Sequence, residues 1–74
     1  MGVGTRIKQY IEDNGIKQSY LSRVTKIPEA KLSLSLNEKR KFNFEEYEVL
    51  CFCLNVDTNR FIKPKDPKEL KKGA

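Results

Sequence analysis

Three consecutive cations, Lys39-Arg40-Lys41, follow a stretch in which Ala30, Ser33, Leu34 and Asn37 recur at helical spacing. Such a loop neutralises phosphates and contributes affinity with little sequence information, while small residues let a helix lie deep in a DNA major groove. Asn37 could bond a base or a phosphate, Glu29 could accept from a cytosine amino group, and Leu34 could touch a thymine methyl, with Lys31 on the flank. Upstream, Gln18 opens an earlier helix, where unpartnered N–H groups and the positive dipole end welcome a phosphate. Plainer readings stand beside these: a charge run is often a solvated face, and Leu34 could belong to a protein interface. The helix carries neither arginine nor glutamine, so bidentate Arg to guanine, the commonest specific contact, is not open to it.

Other chemistries find less support. The chain has no histidine, no glycine-rich phosphate cradle and no nucleophile beside a plausible base. Glu45, Glu46 and Glu48 fall on a helix's solvated first turns, which offer no pocket. Cys51 and Cys53 would point about 200 degrees apart on a helix, so they read as reduced packing thiols. The expectation is a protein without enzyme activity, metal or cofactor.

Positioning the strip requires two short helices set against each other. Gln18 to Thr25 forms the first, Lys26-Ile27 the break, and Pro28 to Asn37 the second. Pro28 disfavours helical backbone for the residue before it yet suits the first position of a new helix. Leu21, Val24, Ile27, Leu32 and Leu36 can meet as one apolar junction, with Ser22 small enough for close approach.

On these residues the chain resembles the Cro-type, lambda-repressor-like family of bacterial and phage DNA-binding domains. The family pattern opens with Gln, then Leu and a small residue, then an apolar turn residue, here Gln18, Leu21, Ser22 and Ile27. Leu32-Ser33 continues it, Asn37 to Lys41 is similar to the family's Asn-Gly-Lys-Arg loop, and Asn43 to Asp57 to its fourth helix and the step into a fifth. The likeness runs over residues 5–62. It implies an all-α compact bundle of about five short helices with a central helix-turn-helix, the third helix entering the major groove and Gln18 touching the DNA backbone. It further implies a transcriptional regulator acting as a repressor, like a phage or prophage repressor reduced to its DNA-binding part. The alternative is a protein-interaction module on the same fold, such as an antitoxin or antirepressor, which an exposed apolar strip outside the third helix would favour. Three positions depart from the pattern: Lys26 and Glu38 stand where glycine is usual, and Ser35 where a buried Ile or Val is usual.

The remaining elements follow from caps and periodicity. Thr5 reads as the N-cap of a first helix that buries Ile7 and Ile11, with Tyr10 beside them, and Gly15 as its left-handed stop. Asn43 and Glu46 spell a capping box for a fourth helix, with Phe44, Tyr47, Leu50, Cys51 and Leu54 as its core stripe and Asn55 as its exit. Asp57 would cap a short fifth helix through Ile62, from which Phe61 packs back. Val49, Phe52 and Val56 lie beyond the stripe and read as a self-complementary patch for a weak homodimer or else as part of a core wider than the stripe.

Seventy-four residues suit one domain, divided as a helix-turn-helix unit over 1–62 and a flexible basic tail over 63–74. A net charge of +5 and a pI near 9.4 favour a polyanionic partner, here double-stranded DNA. No apolar run approaches the roughly 20 residues that span a bilayer, and the amino terminus lacks a signal-peptide core, so a cytoplasmic location is expected.

Overall fold

The computed structural model describes residues 2–62, which contain α1 (Val3–Asp13), α2 (Gln18–Thr25), α3 (Glu29–Leu36) and α4 (Phe44–Leu54) and no strand. The basic tail over 63–74 lies outside the described residues. Helix α3 packs on α1 and α2, and α4 packs on α2. Ile7 and Ile11 of α1, Leu21 of α2, Ile27 of the turn, Leu32 and Leu36 of α3, and Tyr47, Leu50 and Cys51 of α4 close one core together with Phe61. No described helix is long and apolar enough to cross a membrane.

Helix α1 begins before the expected Thr5, with Gly2 as its N-cap. The reason is a longer-range acceptor: the Thr5 N–H and hydroxyl both donate to Glu38 Oε2, at 2.8 and 2.9 Å. A first-turn N–H needs such a partner, and the carboxylate also complements the positive end of the helix. At the other end Gly15 takes φ 66° and stops the helix as expected.

Between α2 and α3 the chain turns on a left-handed Lys26, φ 66°, whose N–H donates to the Ser22 carbonyl at 2.9 Å. A side chain there costs roughly 1–2 kcal/mol over glycine, so neighbours must hold the turn. Ser22 Oγ donates to the Ile27 carbonyl at 2.6 Å, and the buried Thr25 Oγ1 donates to the Leu21 carbonyl at 2.7 Å. Pro28 stands one position earlier than expected: it is the N-cap, with extended ψ 140°, and its carbonyl accepts the Leu32 N–H at 2.9 Å.

Helix α4 carries the expected capping box, the Glu46 N–H donating to Asn43 Oδ1 at 2.7 Å and the Asn43 N–H to Glu46 Oε1 at 3.0 Å. Asn55 makes the left-handed exit at φ 58°. Phe44 corrects the expected stripe. As the first residue of α4 it lies past the edge of the core, 71% exposed, lining an open cleft with Val3, Phe42 and Ile62.

The fifth helix does not form among the described residues: 56–62 is a succession of turns. The Asp57 carbonyl accepts the Arg60 N–H at 2.9 Å, and side chains of earlier helices take two further carbonyls. Arg6 Nη1 donates to the Phe61 carbonyl at 2.8 Å, and the Tyr47 hydroxyl donates to the Thr58 carbonyl. Burial pushes the Tyr47 phenol up to about 12, so it stays a donor across the ordinary pH range. Phe61 is buried edge-on against Tyr10, with ring centroids 5.4 Å apart.

Helices α1 and α3 approach closely at Gly4, where an added Cβ would lie 2.0 Å from the Ser35 carbonyl oxygen. Gly4→Ala should therefore reverse its usual sign. In place of the gain of about 1 kcal/mol that alanine brings to a helix interior, it should lower stability by about 1–3 kcal/mol. Urea unfolding read by far-UV circular dichroism measures this, and a variant as stable as the parent would mean that the helices part freely.

Candidate nucleic-acid interface

Helix α3 separates its faces cleanly. Leu32, Ser35 and Leu36 are buried, Glu29, Ala30, Lys31, Leu34 and Asn37 are exposed, and Ser33 lies at the boundary. Gln18 is half-buried at the start of α2, where Lys17 and Ser19 are exposed. The strip expected from spacing is thus presented on one outer surface.

The exit from α3 is a Schellman turn: the Lys39 N–H donates to the Leu34 carbonyl at 2.7 Å and the Glu38 N–H to the Ser35 carbonyl at 3.2 Å. Glu38 occupies the left-handed position at φ 62°. Its carboxylate is the acceptor that caps α1 at Thr5. Those backbone and hydroxyl donors hold the Glu38 carboxyl below its ordinary value. A glycine could make this turn but could not make the brace.

Ser35 and Arg40 explain each other. The Arg40 Nη1 donates to the buried Ser35 hydroxyl at 2.7 Å, while Nη2 pairs with Glu46 Oε1 at 3.1 Å and Oε2 at 3.3 Å. An Ile or Val at 35 could not receive that guanidinium. Burial pushes the Glu46 carboxyl up, but the Asn43 N–H and the Arg40 guanidinium outweigh it and hold the group below its ordinary value of 4.5. Arg40 is therefore half-buried and engaged within the fold, which sets it apart from the exposed Lys39 and Lys41. The three cations expected to act alike divide into one that fastens the loop and two that face solvent.

Asn37, the C-cap of α3, is held on both sides of its amide. Its Nδ2 donates to the Ser33 carbonyl at 2.8 Å, and its Oδ1 accepts from Lys8 Nζ of α1 at 3.0 Å. No spacing rule links Lys8 to the strip, because the partner is 29 residues away in sequence. Also beyond the sequence pattern is Arg23, whose guanidinium stacks 5.5 Å over the Tyr20 ring beside Lys17 and Ser19 on the outer side of α2.

The remaining candidates lie on or near α4. Phe52 is 84% exposed and Val49 is exposed, whereas Val56 packs partly against the core. Cys51 is buried, and the Cys53 thiol donates to the Val24 carbonyl at 3.6 Å, so both act in packing. No three His, Cys, Asp or Glu side chains gather as a metal-holding group among the described residues.

Residues 6–64 match the family model of a Cro/C1-type helix-turn-helix DNA-binding domain. No curated protein and no solved structure matches the chain.

The carboxylates predict an acid limit to the scaffold. Glu46 and Glu38 titrate lower in the folded chain than in the unfolded one, so their contribution is complete above about pH 4.5 and is lost as pH falls through the depressed folded values. Thermal melts from pH 7 down to pH 3 should show the midpoint falling below about pH 4.5, and less steeply in Glu46→Gln. An identical slope in that variant would remove Glu46 from the acid response.

Proposed function

The chain belongs to the Cro/C1-type helix-turn-helix DNA-binding family, and from that premise we propose a sequence-specific regulator of transcription, acting as a repressor, that inserts α3 into the major groove of double-stranded DNA. One observation carries this reading: α3 is braced at both ends and along its inner side while Glu29, Ala30, Lys31, Leu34 and Asn37 stay open to solvent. Ser33 at the boundary tolerates close approach to base edges. Gln18 meets a phosphate at the start of α2, and Lys39 and Lys41 neutralise the backbone beside the last turn of α3. Arg40 acts one step back, fixing the direction of the loop that carries them.

A single short helix covers few base pairs, so pairing of two chains on a palindrome is the simplest route to specificity. Val49 and Phe52, with Val56 at their edge, supply an apolar patch for a weak homodimer that DNA strengthens by holding the second copy nearby. The same exposed Phe52, together with Phe44 and Ile62, favours a second reading, a protein-interaction module on this fold. Selection against random duplex DNA separates the two. One enriched palindromic site supports the regulator, and no enrichment supports the module.

Within the regulator, Lys41→Ala should weaken binding to all duplexes alike and make the salt dependence shallower by about one unit. An unchanged slope in a salt titration would turn Lys41 toward water. Phe52→Glu should leave a folded monomer that binds a half-site poorly and loses cooperative binding to the full palindrome. A wild type that sediments as a monomer at every concentration and binds one copy per site would discard the dimer.

A further inference from the structure

Building on the DNA-binding reading, we propose that Lys8 of α1 is a positioning residue for base recognition: it locks the orientation of the Asn37 side-chain amide at the end of α3. An asparagine amide offers a donor on one side and an acceptor on the other, and a half-turn exchanges them. On a solvated helix end the two orientations differ little in energy, and an amide that turns freely accepts either kind of base edge. Asn37 is not in that situation. Its Nδ2 donates to the Ser33 carbonyl at 2.8 Å, and its Oδ1 accepts from Lys8 Nζ at 3.0 Å.

Both contacts oppose the flip. Turned over, the amide would set its NH2 group against the Lys8 ammonium, two donors without an acceptor. It would also set its oxygen against the Ser33 carbonyl, two acceptors without a proton, with the Ser33 hydroxyl, 3.5 Å from the amide nitrogen, as a long alternative donor. The Lys8 bond is charge-assisted and hence the stronger tether. Helix α1 is itself in fixed register with α3, through Gly4 against the Ser35 carbonyl and Glu38 on the Thr5 N–H, so Nζ is delivered to a defined place. What remains for a base is one N–H and one lone pair in set directions. An amide restricted in this way discriminates among base edges, because the wrong base leaves a donor or an acceptor unmatched.

The test uses the full chain and three variants, Lys8→Met, which keeps the stem and removes the donors, Lys8→Arg, which restores a donor, and Asn37→Ala. Each is selected against a randomised duplex library at one salt concentration. Lys8→Met should lose about fivefold discrimination at the same base pairs that Asn37→Ala affects, with no further loss there in the double variant, and Lys8→Arg should recover it. In the DNA-free protein, the Asn37 amide proton that donates to the Ser33 carbonyl should resonate downfield and move toward its free-asparagine position in Lys8→Met. Preference retained in Lys8→Met, with binding weakened evenly and the salt slope shallower by about one unit, would make Lys8 only a phosphate contact and overturn the proposal. Unchanged Asn37 amide signals would overturn the tether by themselves. A wild type with no preference among duplexes would overturn the functional reading and this proposal together, an outcome distinct from the other two.

Discussion

An eight-residue helix is too short to persist alone in water, yet α3 has to leave one face bare. That constraint organises the molecule. Everything that fixes α3 has to arrive from its buried side or from its ends. Leu32 and Leu36 anchor it from beneath, and the Lys26 turn with its Ser22 and Thr25 hydrogen bonds fixes its entry. The far end carries more bracing. The Schellman turn, the Glu38 carboxylate on α1, the Lys8 ammonium on Asn37 and the Arg40 guanidinium on Ser35 all converge within one turn of its C-terminus.

The departures from the family pattern acquire a physical meaning in this light. Glu38 accepts left-handed strain that glycine would avoid, and its side chain joins α3's exit to α1's first turn. Ser35 gives up the burial of a branched apolar residue and receives Arg40, which also holds the Glu46 carboxylate that caps α4. A chain of polar contacts thus links the ends of α1, α3 and α4 at one pole, where an apolar contact and one glycine would have served the backbone alone. Removing one partner from such a linked set leaves the others poorly matched, so the set specifies geometry more firmly than its count of bonds suggests.

Much of this was legible in the residues. The breaks at Gly15, Lys26-Ile27 and Asn55 and the capping box at Asn43 and Glu46 are local chemistry, and local chemistry is what a sequence displays. The buried members of the core also follow from helical spacing, as Ile7, Ile11, Leu32 and Leu36 illustrate. The residues mislead where a distant group competes. Thr5 looks like a cap until Glu38 provides an acceptor 33 residues away, and Arg40 looks like a free cation until the fold supplies Ser35 and Glu46. Periodicity carries Phe44 into the stripe because it cannot show where the underlying helices end. Asp57 signals a helix start, and its carbonyl accepts the Arg60 N–H at 2.9 Å, but the Thr58 and Phe61 carbonyls go to Tyr47 and Arg6 and the turn is not continued.

That last segment has a kinetic side. Helices and tight turns close over short stretches of chain and form quickly, whereas the Arg6 to Phe61 contact joins residues 55 apart. Its closure entropy is borne by two side-chain hydrogen bonds, from Arg6 to the Phe61 carbonyl and from Tyr47 to the Thr58 carbonyl, and by one buried aromatic ring rather than by a helix of its own. The 56–62 segment is therefore the part of the described domain that depends most on contacts distant in sequence, which marks it as the segment expected to open first. Its departure would uncover Tyr10 and the edge of the core while α2 and α3 stayed paired. Local opening and global unfolding are then separate events, with the helix-turn-helix retained through the first of them.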